Sequence, residues 1–290
     1  MGETGRMENV SRQREPRELV AAVRERIRGV ARLGVAFSGG ADSSVLLAIA
    51  LRELGPDRVV ALLGVSPSLA ARERAAAHEV AHTLGASVVE IETHEGDDPD
   101  YRRNGPDRCF FCKQELFRRI DDEVADRYGL TAIAYGENAD DTLRPDRPGS
   151  EAARRHAVLA PLAAAGLTKA DVRAVGRLLR VPSADKPAAP CLASRVPHLR
   201  EVTPEVLGQI ERAEDALHDL GYAVLRVRHH GTLARVELGD EELQRATADE
   251  GEQAAVIAAV RSAGFAEVEI DPRGLQSGAN TLAALRAAAR

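Results

Sequence analysis

The stretch that most restricts the fold is an apolar run, LGVAF (33–37), that breaks into SGGADSS (38–44) and resumes as a helical apolar pattern closed by Gly55-Pro56. A strand, a glycine turn and a helix in direct succession leave room only for a strand that hands over to a helix through a tight loop. The same order then repeats. RVVALLGVS (58–66) reads as a strand, LAARERAAAHEVAHTLG (69–85) as a helix ending at Gly85, and SVVEIET (87–93) as a strand. An amphipathic helix is expected over 113–128, and TAIAYGENADD (131–141) as a strand running into acidic residues. With RELVAAVRERIRGVAR (17–32) as a first helix, this alternation predicts an α/β fold with a parallel sheet covered on both faces.

Further on the pattern changes. LTKADVRAVGRLLRVP (167–182) supplies one more helix with Thr168 as its N-cap, and DKPAAPCLASRVPH (185–198) is too proline-rich for a regular element. TPEVLGQIERAEDALHDLG (203–221) has a Thr203 cap, Pro204 at the first helical position and Gly221 at its end. AVLRVRHHGTLARVEL (223–238) alternates with period two around a glycine, as a hairpin does, and two more helical stretches with EVEID (267–271) complete a small α/β unit. The expected organisation is a tail over 1–16, a first domain over 17–190 and a smaller second domain over 191–290. The 290 residues, 44% hydrophobic and 29% charged, suit such a globular chain. No apolar run approaches the ~18 residues a membrane span needs, and the start shows no secretory pattern, so a cytoplasmic protein without membrane attachment is expected. A net charge of −6 argues against a nucleic-acid partner, because gripping a phosphate backbone needs a positive field.

In SGGADSS, Gly39 and Gly40 permit close approach of an anion, backbone amides and the helix N-terminus face it, and Ser38, Ser43 and Ser44 add hydroxyl donors. Asp42 would repel phosphate unless a divalent cation stood between, so Mg²⁺ is implied. The plainer alternative is a glycine turn with a Ser/Asp helix cap. No Gly-Lys-Ser/Thr follows, so this is not a Walker A loop. The motif resembles the SGGxDS loop of the PP-loop ATP pyrophosphatases. That resemblance implies an adenine-nucleotide α-hydrolase-like sheet domain, ATP cleaved between its α and β phosphates, pyrophosphate held in the loop, and adenylation of an oxygen on a second substrate.

The chain has three cysteines. Cys109 and Cys112 stand three apart at the start of a helix, where amide dipoles, Arg108 and Lys113 would lower their pKa; Cys191 is isolated in PAAPCLASR. A packing pair beside Phe110 and Phe111 is one reading, and zinc another, though no fourth cysteine or suitably spaced histidine completes that site. Three thiolates also suit an iron–sulfur cluster with one open iron, or a persulfide relay between Cys191 and the pair. NGPDRCFFCKQELF, RPGS (147–150), VLAPLAAAGLTKADVR, DKPAAPCLASRVP, AEDAL and RVRHHGTLARVEL together resemble the LarE family of ATP-dependent sulfur transferases over roughly 17–280. The resemblance implies thiolation of pyridinium dicarboxylate mononucleotide in nickel-pincer nucleotide biosynthesis, with Cys191 as the sulfur-bearing residue. Members with only that cysteine consume it, leaving dehydroalanine. The three-cysteine pattern here implies a [4Fe-4S] cluster on Cys109, Cys112 and Cys191, fed by sulfide or another sulfur donor. ATP, Mg²⁺ and a homo-oligomeric assembly complete the expectation.

Arg226, Arg228 and Arg235 fall on the polar alternation of the hairpin with Leu225 and Val227 opposite, so Arg226 and Arg228 can converge on one anion. The resemblance makes that anion the substrate phosphate, adds Ser194 and Arg195 to its site, and gives Glu214 the role of base or arginine orienter. His229 and His230 point to opposite faces of a strand and read as turn-flanking polar residues. Asp140 and Asp141 either hold Mg²⁺ or cap the next element. Val196-Pro-His-Leu-Arg200 stands where the family usually has Pro-Tyr-Gly. Rival readings are a tRNA-thiolating PP-loop enzyme, which should carry a basic RNA-binding appendage, an NAD-synthetase-like amidotransferase with incidental cysteines, and a non-catalytic cluster or nucleotide carrier that releases no pyrophosphate.

Overall fold

The computed structural model describes residues 14–143 and 148–275. Nearly all of the expected tail and Arg147 of the RPGS motif lie outside these residues. Helix α1 (Pro16–Ile27) starts on a Glu15/Glu18 capping box with Pro16 at N1 and buries Leu19, Val23 and Ile27, which lie one turn apart. The first layer continues with β1 (Leu33–Ala36), α2 (Ala41–Leu54), β2 (Val59–Val65), α3 (Ala71–Leu84) and β3 (Ser87–Glu92). Next come the short α4 (Pro99–Arg102), α5 (Arg108–Arg119), β4 (Ala132–Tyr135), α6 (Ala139–Thr142), α7 (Gly149–Arg155), α8 (Pro161–Ala164) and α9 (Lys169–Leu179).

The four strands pair in parallel in the order β3-β2-β1-β4. One face is covered by α1, α2, α3 and α9, whose Val23, Leu47, Ala81 and Val175 share a core with Leu33, Val35, Ala61 and Leu63. The other is covered by α5 and α7 through Phe117, Ala152 and Ala153, packed with Val60, Leu62 and Tyr135. The sheet covered on both faces is the one the strand–helix alternation predicts. The helix expected over 113–128 is corrected: α5 begins at Arg108, and a π turn over Ile120–Val124 ends the helical run. Its early start is anchored by the Arg108 guanidinium, which is buried and donates to Asn104 Oδ1 and, at 2.9 Å, to Ala193 O.

Helix α10 (Pro204–Asp219) carries the expected Thr203 cap, which accepts from Val206 N, and Pro204 at N1. Strands β5 (Leu225–His230) and β6 (Leu233–Leu238) form the hairpin, and β7 (Glu267–Ile270) joins β6 in parallel after α11 (Asp240–Ala246) and α12 (Glu250–Ser262). Ala213, Leu217, Val227, Val236, Val260 and Phe265 form this second core. Burying each large apolar side chain there contributes on the order of 1.5–3 kcal/mol. Among the described residues no helix is long and apolar enough to cross a membrane.

Candidate active site

Strand order reverses at β1, so the crevice beyond the carboxyl ends of β1 and β4 is where a doubly wound sheet places its ligand. The loop 38–44 opens there. Gly39 adopts φ +69°, and a Cβ on it would stand 2.8 Å from Ala77 Cα, so only glycine fits. Gly40 is the N-cap of α2, and its carbonyl accepts from Ser44 N at 3.0 Å. Ser43 Oγ lies 3.3 Å from both the amide and the hydroxyl of Ser38, which closes the loop into a ring of donors. Asp42 accepts from Asn138 Nδ2 at 3.2 Å and is ion-paired with Lys169. Asp141 closes a capping box with Asn138, and Asp140 accepts from Lys169 N at 2.9 Å, so both carboxylates act as caps in this arrangement. A cavity of about 530 Å³ opens over the loop, lined also by Asp42, Asn138 and Lys169.

A second cavity, of about 360 Å³, reaches Cys191 and shares Ser38, Glu73, Lys186 and segment 187–190 with the first. Cys191 is exposed and stands at the N-cap of a 3₁₀ turn, Leu192–Arg195, held by Leu192 N donating to Ser68 O at 2.9 Å. Arg195 is buried and donates to Glu214 through Nε at 2.9 Å and Nη2 at 3.0 Å, and through Nη1 to Cys191 O and Ser194 Oγ, each at 3.2 Å. Glu214 accepts in addition from Val227 N at 2.9 Å, so its carboxylate ties the turn to β5. Arg228 donates to Ser194 O at 2.9 Å and to Glu237 at 2.8 Å.

Arg226 is different. It is 7% exposed, forms no ion pair among the described residues, and donates to Ala188 O at 3.4 Å. Burial, with Arg228 and Arg195 nearby, pulls its pKa down. Three guanidiniums against the Glu214 and Glu237 carboxylates leave a buried positive excess, which an anion entering the second cavity would neutralise. The sequence alternation puts Arg226 and Arg228 on one face as expected, but that face is turned onto segment 187–195 and away from solvent.

The cysteine pair enters the same neighbourhood from α5. Cys109 is exposed, whereas Cys112 is half-buried against the cluster of Tyr101, Leu192 and Ala193. Here the expected lowering of the pair's pKa fails for Cys112. Burial pushes its thiol well up, and Glu95, Cys191 and Cys109 add to the effect beyond what Arg108 offsets. Among the described residues no three His, Cys, Asp or Glu side chains stand close enough to hold a single metal ion. His229 packs edge-on against Phe265, 5.3 Å between ring centroids, and its Nε2 lies 3.1 Å from Gln209 Oε1, so it serves the second core.

The asparagine synthase family model matches residues 16–107, the segment that holds the strand–loop–helix unit. Over 260 residues, 90% of this chain and 91% of the relative, the sequence is 32% identical to pyridinium-3,5-bisthiocarboxylic acid mononucleotide synthase of Lactiplantibacillus plantarum. The chain belongs to the LarE family. It is also 39% identical over 246 residues to an uncharacterised protein of Synechocystis sp., covering 84% of this chain and 90% of the relative. An uncharacterised protein of Methanocaldococcus jannaschii is 28% identical over 207 residues, covering 71% of this chain and 77% of the relative.

In this LarE-family chain the three thiols fit a cluster by their donor set. Cys109 and Cys112 lie on α5 and Cys191 stands beside the Leu192–Arg195 turn, two abutting elements tied by Arg108, and the charges of Cys109 and Cys191 act on the Cys112 thiol. Several site features leave little or no signal in the sequence. A Cβ on Gly136 would lie 2.6 Å from Ser43 N, so the end of β4 braces the 38–44 loop. Behind the cysteines, Glu95 is 3% exposed and accepts from Ser66 Oγ at 2.6 Å and Ser68 Oγ at 3.2 Å, while Ser68 Oγ lies 2.5 Å from Tyr101 OH. Glycine after a strand, YGEN, was the one available hint for Gly136; the Glu95 network joins segments too far apart in sequence to leave one.

Proposed function

We propose that this LarE-family chain is an ATP-dependent sulfur transferase that thiolates pyridinium-3,5-dicarboxylic acid mononucleotide in the biosynthesis of the nickel-pincer nucleotide. The observation that carries the proposal is the junction of the two cavities. One ends on the 38–44 loop, the other on Cys191 and the arginine cluster, and they meet at Ser38 and segment 186–190. The name of the Lactiplantibacillus plantarum relative, which states a bisthiocarboxylic product, supports a dicarboxylate acceptor.

A free carboxylate has no competent leaving group, so activation must come first. An oxygen of the acceptor carboxylate attacks the α-phosphorus of ATP, and pyrophosphate departs with the electron pair of the broken P–O bond into the 38–44 loop. Mg²⁺ bound with ATP would neutralise phosphate charge beside Asp42. A sulfur nucleophile delivered at Cys191 then attacks the acyl carbon and displaces AMP, leaving a thiocarboxylate. Arg195, Arg226 and Arg228, with Ser194, hold the phosphate of the mononucleotide, and Glu214 positions Arg195. The first sheet domain thus serves the nucleotide step, and the unit from about residue 191 serves the acceptor. Cys109, Cys112 and Cys191 would hold a [4Fe-4S] cluster, which when bound supplies an iron free of protein ligands to carry transferable sulfide.

Two expected results follow from these roles. After anaerobic iron–sulfur reconstitution, the wild-type chain should bind about four irons and Cys109→Ala should lose them; a wild type that binds none excludes the cluster and leaves a persulfide or consumed Cys191. Arg226→Met should raise KM for the mononucleotide by roughly 10- to 100-fold, the scale of one charge-assisted hydrogen bond. Because it removes an unpaired buried charge, the same variant should melt no lower than the wild type. An unchanged KM would remove Arg226 from the phosphate site. The proposal as a whole is tested by the acceptor dependence of pyrophosphate release.

A further inference from the structure

Resting on the adenylation reading above, the α-phosphorus must lie where the two cavities join. Pyrophosphate leaves towards the 38–44 loop, and the acceptor carboxylate arrives from the Cys191 side. Among the described residues, the charged side chains common to both cavities are Glu73 and Lys186, and Lys186 is the one cation. Lysine occurs in this chain only at 113, 169 and 186. Lys169 is committed to Asp42 on the pyrophosphate side, and the Lys113 ammonium lies 4.5 Å from the centroid of the Tyr135 ring.

Lys186 Nζ is ion-paired with Glu73 at 2.7 Å, and both side chains are partly exposed to the cavities, at 25% and 32%. The lysine leads into Pro187 and Pro190, whose fixed φ angles stiffen the segment that ends at Cys191. Its amide is held by Ser183 O at 3.2 Å. A compact ammonium on a stiff segment, with one carboxylate partner among the described residues that an incoming, more highly charged triphosphate can outcompete, is suited to charge that develops during reaction.

We propose that Lys186 is a catalytic residue of the adenylation step, its ammonium binding the non-bridging oxygens of the α-phosphate as the acceptor carboxylate attacks. The P–O bond to the acceptor forms, the P–O bond to the β-phosphate breaks with its electron pair on pyrophosphate, and Lys186 keeps its proton throughout. Glu73 holds the ammonium at the junction between turnovers.

The test is acceptor-dependent pyrophosphate release by the full chain with ATP, Mg²⁺ and pyridinium-3,5-dicarboxylic acid mononucleotide. Lys186→Met should lower kcat on the order of 100-fold or more, the scale of removing one oriented transition-state donor, with KM for ATP changed by less than about threefold. Lys186→Arg, which keeps the charge, should recover at least about a tenth of the wild-type kcat. Glu73→Gln breaks the same ion pair but keeps the ammonium, and should lose far less than Lys186→Met. Equal losses in Lys186→Met and Glu73→Gln would mean a structural ion pair and overturn the inference, as would an effect confined to KM or a fully active Lys186→Met. A wild type that releases no pyrophosphate with this acceptor would instead overturn the adenylation reading itself.

Discussion

Cys191→Ala should abolish sulfur transfer while acceptor-dependent pyrophosphate release continues. The two activities separate because the groups proposed for each line different parts of the joined cavities. Gly40, Ala41, Asp42 and Lys169 line the first cavity and not the second, and the thiol lines the second and not the first. The thiol is exposed, and the hydrogen bonds that fix its turn run through the backbone and Arg195, so alanine leaves the local fold in place. Loss of the group proposed to deliver the nucleophile should lower thiocarboxylate formation by on the order of 10⁴-fold or more. AMP should still form, because water can hydrolyse an acyl-adenylate that no sulfur attacks. The checks are pyrophosphate by a coupled assay and thiolated product by mass spectrometry on the same samples. Thiolation that survives in Cys191→Ala would show that sulfur reaches the acceptor without this residue.

Glu214→Ala should give the largest loss of stability of any single change at the site. Its carboxylate accepts three hydrogen bonds, two from Arg195 and one from Val227 N, and both charged partners are at least nine-tenths buried. Removing it strands a buried guanidinium and an amide of β5. Breaking a buried pair from one side costs about 3–5 kcal/mol, a large part of the 5–15 kcal/mol that stabilises a typical domain. At roughly 2–4 °C per kcal/mol for a chain of this size, the melting midpoint should fall by about 10 °C. Replacing both partners, Arg195→Met with Glu214→Met, should recover much of that loss, since an apolar pair strands no charge. A single Glu214→Ala that melts with the wild type would show that Arg195 finds other compensation and that the pair does not anchor the turn.

The parts of this molecule legible in the sequence are those set by short-range pattern. LGVAF-SGGADSS specifies a strand, a loop and a helix because each is fixed by its own residues. Thr168, Thr203 and Pro204 mark helix starts for the same reason. What escaped depends on neighbours brought in by the fold. Gly136 matters because β4 pairs with β1 and ends against Ser43, which strand order alone decides. The Cys112 thiol was expected to be acidic from the adjacent Arg108 and Lys113, yet its surroundings are Tyr101 and Leu192 from other segments, and burial dominates. Arg226 and Arg228 were correctly placed on one strand face, but period-two alternation cannot tell a solvent face from one covered by a proline-rich segment 30 or more residues away. The cysteine pair does stand at the start of a helix, but the amphipathic pattern from 113 on does not show where α5 begins, because its anchor, Ala193 O, lies 85 positions on.

The central claim is that this chain couples ATP cleavage to sulfur transfer onto a nucleotide carboxylate. It is tested most directly by mass spectrometry of pyridinium-3,5-dicarboxylic acid mononucleotide after anaerobic incubation with the reconstituted chain, ATP, Mg²⁺ and sulfide, with AMP and pyrophosphate counted alongside. Oxygen replaced by sulfur on the carboxylate, with one AMP and one pyrophosphate formed per sulfur, is the result this structure predicts. An acceptor recovered unchanged, while ATP is left intact or cleaved without regard to the acceptor, would contradict it.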